Sequence, residues 1–590
     1  MKFTTLILTG CIIIITQASY CLSQSHYGTE FVFGIPHNSH DESACKEIYV
    51  SIAAYTTGTY NFTVPFLNIS KTGTIQSNLT EIKLDCSIAK FGTFKDLRGL
   101  YLKTSTEVSV FATNYYSSTA ETFLVIPIPE TGKQYSTAAY QPYDSSDRSF
   151  VMVAASNPET HGYIYNDTSE RFVRNFSLNA LEVFQLSTSD TLHGIRVIVD
   201  KQVAVITGTT CATIPHGVSA CDIITEQMIP TKSWDKIYIA PPTPPKEAYE
   251  LRVTKDNSSV SGQICFHNGT TSYCGNDSTI SIRMGNEPTV ILSDNPVSVV
   301  QFGYGNFYPL KNVGDPFMTV IPGLGNFLNN YFFAIPNVYM NASNHLSIIL
   351  PTKYIKGLVL DGGKLNISHN NTLIVPKPLD NYTVVILTVN SGYHHLYHCE
   401  NYVKFGLLIY GFGTTSDKYV GFGYPGGMRL SGFDNSTTLS TSISATSLPY
   451  CNVTYEELNS TKATESNTST STNTSTPALP HIITTDAGLN STKSIENNHS
   501  VVTQSTTSYG LSTSLSPTPD LQTNTSELYG NSTSLQDPKN KTEKSSLGII
   551  LGAVIGAVFA ILLLACLIFF LAKKRGKPAV QPENTENTES

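Results

Sequence analysis

The chain has 590 residues, a net charge of −8 and 40% hydrophobic residues. Its length allows more than one core-forming unit. The charge is small for that length and no basic stripe lies along it, which argues against nucleic acid as a partner.

Residues 1–23 read as a secretory signal peptide. Met1-Lys2 is followed by an apolar core from Leu6 to Ile15, and small or polar residues follow, with cleavage expected after Ala18 or Ser23.

Residues 24–430 are rich in Tyr, Phe, Val, Ile and Thr, with Gly, Pro and Asn as punctuation. Short alternating runs at 107–112, 195–199, 202–206 and 297–300 predict strands, and no helical periodicity competes with them. An apolar-Pro box recurs at Ile35-Pro36, Ile126-Pro127, Ile229-Pro230, Ile321-Pro322 and Tyr424-Pro425. In the middle three copies a tyrosine follows eight or nine residues later (Tyr135, Tyr238, Tyr331). A Val-x-Val strand precedes each of those copies, at Val108–Val110, Val203–Val205 and Val297–Val299. Self-similarity at a fixed period signals a repeat architecture, here four units of about 95 residues. The fold class is all-β. A β-propeller-like ring is preferred, because a box at each end suits a closed ring whose last sheet is shared by the termini; tandem β-sandwiches are the alternative.

Of the 11 cysteines, Cys11 and Cys21 fall in the signal and Cys566 in an apolar span, leaving Cys45, Cys86, Cys211, Cys221, Cys265, Cys274, Cys399 and Cys451. An even set in an oxidising compartment reads as disulfides, and eight cysteines allow 105 pairings. Sequential pairing is preferred, because Cys211/Cys221 and Cys265/Cys274 are close enough for local loops. About 22 Asn-x-Ser/Thr sequons occur, all before residue 547. Those expected to carry glycans are Asn61, Asn68, Asn78, Asn166, Asn175, Asn257, Asn268, Asn276, Asn341, Asn366, Asn381, Asn435 and Asn452.

Candidate chemistry in this region is sparse. Gly421, Gly423 and Gly426 fit Gly-x-Gly-x-x-Gly, but a dinucleotide site needs that turn to open a helix, and a Ser/Thr-rich stretch follows instead. His394, His395 and His398 have the spacing of a helical zinc site, yet their flanks read as turn and strand. In a strand, positions four apart lie about 13 Å from each other. His37, His40, Asp41 and Glu42 form a polar cluster that reads as a solvated loop. No nucleophile elbow occurs. The expectation is no enzyme, no cofactor and no metal.

Residues 431–546 are dominated by Ser, Thr and Asn, with scattered Pro and few aromatics. Such a segment buries too little apolar surface to offset ordering entropy and reads as a glycosylated, mucin-like stalk. Extended at about 3.1 Å per residue, it reaches on the order of 350 Å at most. Residues 547–572 are an uncharged apolar run long enough to cross a bilayer as a helix, followed by Lys573-Lys574-Arg575. The basic cluster places residues 573–590 in the cytoplasm. Gly548, Gly552 and Gly556 line one face of the span, a spacing that lets two helices approach closely as a homodimer.

The series Cys211 to Cys221, Asp222, Glu226-Gln227, Ile229-Pro230 and Trp234 resembles the N-terminal domain of IgG Fc-binding proteins. Val108–Tyr116, Phe123–Pro127 and Tyr135 resemble the same family. The resemblance implies an extracellular, non-enzymatic binding domain and makes Cys211/Cys221 a disulfide framing the Pro215–Gly217 turn. The Cys-rich assemblies of the large mucosal members are missing, and a stalk and apolar span stand in their place. The whole reads as a single-pass plasma-membrane protein with its N-terminus outside. Its head binds an extracellular protein or glycan. The alternative is a tethered glycocalyx or mucus-matrix component that hydrates and spaces the surface.

Overall fold

A computed structural model of the chain describes residues 24–430 apart from 39–41, 167–170, 219–220, 257–259, 270, 306–313, 340 and 414–419, and without the side chains of residues 42 and 171–173. Residues 1–23 and 431–590, on which the expected signal peptide, stalk, span and tail fall, lie outside the described residues. No helix among the described residues is long and apolar enough to cross a membrane.

The architecture is all-β, built from five curled sheets with short 3-10 turns between strands. The long strand Leu100–Tyr116 shows how a unit is made. Its first half alternates exposed and buried side chains, with Lys103, Ser105 and Glu107 facing outward; its second half, from Val108, is buried on both faces. The first half pairs with Gly28–Phe33 and Gly58–Val64. The second half pairs with Cys45–Ala53 and Thr119–Val125. One strand therefore runs through two half-sheets.

Arg196–Ala212 and Thr289–Gly303 repeat this arrangement. The sequence pattern suggested two strands at 195–199 and 202–206. They form one strand with a register shift between Ile198 and Val203, because a bulge carries it from one half-sheet to the next. The fourth unit breaks at this point into Gly392–His398 and Gly406–Gly413, which is why four units make five sheets.

Each unit ends on a fully buried inner strand: Thr119–Val125, Asp222–Gln227, Phe317–Val320 and Gly421–Pro425. The first packs against the second and the fourth, and the third packs against the same two. The two ends of the described region also meet. Leu430 donates its N–H to Gln24 O at 2.7 Å, and His26 donates to Met428 O at 2.9 Å.

The boxes at 126–127, 229–230 and 321–322 follow inner strands and lead into 3-10 turns. Ile35-Pro36 differs: it follows the first strand of its unit and matches Ile335-Pro336 by position rather than the other boxes. The recurring tyrosine has one job in all three copies. Its hydroxyl accepts the N–H three residues upstream and donates to the carbonyl at the bend of the long strand. The pairs are Gly132 and Val203 for Tyr135, Asp235 and Val297 for Tyr238, and Leu328 and Phe405 for Tyr331. In the first unit this position holds Phe31, which has no hydroxyl.

Candidate functional site

The deepest polar cluster lies where the inner strands face one another. Each of these strands is the last in its sheet, so its inward N–H groups need acceptors other than a backbone ladder. Side chains supply them. Glu121 on the first inner strand accepts from Gly423 N on the fourth at 3.2 Å and from Met318 N on the third at 3.4 Å. Glu226 on the second accepts from Val320 N on the third at 3.2 Å. Asp222 accepts from Ala120 N at 3.1 Å, from Ile223 N at 2.8 Å and from the Thr119 hydroxyl. Gln227 accepts from Ile126 N at 3.3 Å.

Burial pushes the carboxyls of Glu121, Asp222 and Glu226 well above the usual carboxylate range; for Glu121 the charge of Asp222 adds to this, and for Asp222 that of Asp315. Both oxygens of Glu121, one of Glu226 and Oδ1 of Asp222 accept from backbone N–H groups, which holds four strand edges together, while Asp222 Oδ2 is buried with no hydrogen-bond partner. Lys246 is also buried, and its charge interacts with that of Asp315, the neighbour of Asp222. It donates to Gly305 O at 3.0 Å and Gly314 O at 3.3 Å, and burial lowers its pKa to about 8.

The histidine row lies on one strand, and its rings take separate partners. His394 Nδ1 lies 2.8 Å from Asp361 Oδ2, and its Nε2 2.9 Å from Asn390 O. His395 Nε2 lies 2.6 Å from Asn330 Oδ1, and His398 Nε2 2.9 Å from Tyr354 O. Burial is the largest single effect and lowers the His394 pKa, but the bonds to Asp361 and to Asn390 O together with the Asp361 charge outweigh it and leave the pKa raised. The Gly-x-Gly-x-x-Gly stretch is the fourth inner strand, with no helix after it among the described residues. Its glycines serve close packing: a Cβ at Gly421 would collide with the Asp315 backbone, and one at Gly423 with the Phe317 ring. His37 is buried edge-on against Phe91 and Tyr116, while His40 and Asp41 lie outside the described residues.

Disulfides join Cys45 to Cys86, Cys211 to Cys221 and Cys265 to Cys274. Cys399 is disulfide-bonded, and Cys451, the partner expected for it, lies outside the described residues. Asp147 is the third member of a potential metal-ligand group with Cys211 and Cys221, whose sulfurs are committed to each other.

Among the sequons, Asn61, Asn68, Asn78, Asn175, Asn276, Asn341, Asn366 and Asn381 are exposed and Asn166 and Asn268 half-buried; Asn257, Asn435 and Asn452 lie outside the described residues. Large aromatic side chains reach solvent at Tyr55, Tyr143, Tyr163, Tyr273 and Tyr402. Tyr55 from the first unit packs on His395 of the fourth, with ring centroids 5.0 Å apart.

The family model described as IgGFc binding protein matches residues 121–411. The chain belongs to the IgGFc-binding protein family. It is also 26% identical to the human protein named IgGFc-binding protein over 273 residues, which is 43% of this chain and 5% of that protein's own length. Seen against the fold, the family-like series is structural. Asp222, Glu226 and Gln227 cap facing strand edges, and Trp234 is buried at the end of a 3-10 turn. The pattern pointed to Asp222 and Glu226 but missed Glu121 and Lys246. No local pattern marked either one: Glu121 stands between Ala120 and Thr122 in a strand that also carries Thr119.

Proposed function

We propose that this IgGFc-binding family member is a single-pass protein of the plasma membrane. Its β-rich head recognises an extracellular protein or glycan, and the segment 431–546 presents that head as a glycosylated stalk. In this reading the four units form a propeller-like ring, residues 547–572 span the membrane, and the face carrying Gly548, Gly552 and Gly556 supports a homodimer.

The observation that carries the recognition role is the set of five solvent-reaching tyrosines on a head whose sequons avoid the buried layers. Tyrosine is enriched at interfaces because it offers a large rigid contact with a polar tip. Membership of a family whose human relative is named for binding IgG Fc supports the same class of role.

The test is proximity labelling from the head of the full-length chain on living cells, with a chain lacking residues 24–430 as reference. A discrete partner labelled by the full chain alone supports recognition. Identical label sets for the two chains would leave only the spacing role. Purified IgG Fc, added to the same cells, tests that partner directly. An antibody to residues 573–590 should stain only permeabilised cells; staining of intact cells refutes the topology.

A further inference from the structure

The repeats provide an internal comparison of one surface position four times over. The register aligns Gly28 with Val108, Gly132 with Val203, Asp235 with Val297 and Leu328 with Phe405. At each of these points the start of one unit meets the bend of its long strand, and in the first three it also meets the next unit's 3-10 turn.

At the second of these seams there is a groove of about 580 Å³, lined by Thr131, Lys133, Gln134, Asn157, Gln202 and Thr231 together with Lys201, Lys232, Gly132 and Pro230. Gly132 lets Pro230 approach so closely that a Cβ there would collide with the proline ring. At the third seam the matching residue is Asp235, which folds over the turn and accepts Gly325 N at 2.6 Å. A side chain thus caps the third seam where the second has none.

The charge at these positions also differs. Lys133 corresponds to Thr29, Lys236 and Asn329 at the other seams; Lys201 corresponds to Thr106, Asn295 and Val403; Lys232 corresponds to Pro129 and Gly325. Only the second seam carries lysine at all three. The first seam has Glu107 where the second has Gln202, and Lys236 of the third donates to Asp294 O at 2.7 Å. Among the described residues no ion pair engages Lys133, Lys201 or Lys232. Lys201 donates to Pro158 O at 2.6 Å, and Glu130, which senses Lys232, is buried. Pro230 is the one large apolar residue in the lining; the other side chains carry ammonium, amide and hydroxyl groups, of which the Gln202 Nε2 and the Thr131 hydroxyl donate to backbone carbonyls. No sequon occurs among the lining residues.

We propose that this groove binds an anionic glycan, one carrying sulfate or carboxylate groups. The proposal rests on the recognition reading above and gives it a site. Three cations on a chain of net charge −8 form a local field opposite to the whole. An open groove of mixed polar and apolar surface, ringed by three ammonium groups, suits a sugar, whose ring faces, hydroxyls and acidic substituents can each find a partner there.

The experiment uses the full-length protein with four probes: a size-defined sulfated dextran oligosaccharide, the same oligosaccharide unsulfated, a sialic acid-terminated trisaccharide, and a polyglutamate peptide. The expected result is salt-sensitive binding of one or both acidic sugars, with the unsulfated sugar silent. The triple variant K133Q/K201Q/K232Q should lose about tenfold or more in affinity, while the control triple K71Q/K364Q/K377Q stays within about twofold. On the wild type, bound sugar should protect Lys133, Lys201 and Lys232 from acetylation, a readout independent of how the variants fold. The proposal is overturned if no acidic sugar binds, if both triples lose equally, if the three lysines are unprotected, or if the peptide outcompetes the sugars. A partner found by proximity labelling whose capture survives K133Q/K201Q/K232Q would overturn this site and leave the recognition role standing.

Discussion

The ring of His26 accepts the Met428 N–H on Nδ1 at 3.1 Å, joining positions 402 residues apart. Its Nε2 lies 3.0 Å from the Ser109 hydroxyl, which donates to Phe332 O at 2.8 Å. One buried imidazole therefore links both ends of the head to its first and fourth units. With Nδ1 accepting that N–H at 3.1 Å, closer than the 3.3 Å to Met428 O, the ring is neutral and carries its proton on Nε2. Burial lowers the His26 pKa to about 3, against the partial opposition of the Met428 backbone.

This gives a pH prediction with a definite sign. The folded pKa lies below the unfolded value near 6.5, so the His26 contribution is complete above about pH 6.5 and fades as pH falls toward 3. Between pH 7 and 5 the loss from this group is about 2 kcal/mol. His26→Gln should be less stable than wild type at pH 7 by about 1–3 kcal/mol, because partners at the closure are disturbed. It should also lose about 2 kcal/mol less between pH 7 and 5. Denaturant unfolding at the two pH values measures both. His193 and His345, which are also lowered by burial, remain in both proteins and cancel. An unchanged pH slope in the variant would refute the assignment.

The recurring tyrosine makes a second prediction. Tyr135→Phe, Tyr238→Phe and Tyr331→Phe each strip an acceptor from one buried N–H and a donor from one buried carbonyl, with little change of shape. Each should cost about 1–3 kcal/mol. Phe31 shows that the first unit does without the hydroxyl, so the cost is read as a lost bond rather than a lost ring. Thermal or denaturant midpoints of the three variants would test this, and three neutral results would sink it.

The carboxyls between the inner strands predict the opposite pH sign from His26. Glu226 has a folded pKa raised by burial, so its contribution is complete below the unfolded value near 4.3 and is lost as pH rises through the folded pKa. Glu226→Gln keeps an acceptor for Val320 N and carries no charge. It should match or exceed wild-type stability at pH 8, and its stability should vary less between pH 5 and 8. Glu226→Ala removes the acceptor and should be destabilised by about 1–3 kcal/mol at every pH. If the Gln and Ala variants are equally unstable at pH 8, a charged carboxylate is needed there and the reading fails.

Much of this fold was legible because it depends on local rules. Alternation marked strands, and the Ile-Pro boxes with their tyrosines marked three of the unit boundaries. What was not legible comes from contacts between units. Ile35-Pro36 lacks the following tyrosine and the preceding Val-x-Val of the middle three boxes, but that absence does not say which strand it follows. The bulge that keeps Arg196–Ala212 continuous looked like a turn, because Asp200-Lys201 interrupts the apolar pattern. Glu121 and Lys133 look like ordinary surface charges in a linear reading. One is buried against strands 197 and 302 residues away, and the other borders a groove formed partly by the next unit's box. The glycine series fits the spacing of a phosphate turn, set aside because no helix follows it, since a close approach to Phe317 and a bend around a ligand require the same missing side chain.

Closure of the head gives the last prediction. The inner strand Gly421–Pro425 packs against Thr119–Val125 and Phe317–Val320, supplies Gly423 N to Glu121, and is followed by the Leu430–Gln24 bond. Removing it from an otherwise intact head exposes inward edges on the first and third inner strands and strips Glu121 of a partner. Exposed inward edges are templates for aggregation. A chain ending at residue 430 should therefore be secreted in soluble form. One ending at residue 420 should be retained or aggregate, with its first three units more open to protease than in the longer chain. In a tandem of independent sandwiches the same cut would damage the fourth unit alone, and limited proteolysis would return residues 24–321 intact from both chains. The decisive reading is the protease sensitivity of the Cys45–Cys86 unit, which is farthest in sequence from the cut and adjacent to the removed strand through Thr119–Val125. If that unit is equally resistant in both chains, the ring is not closed.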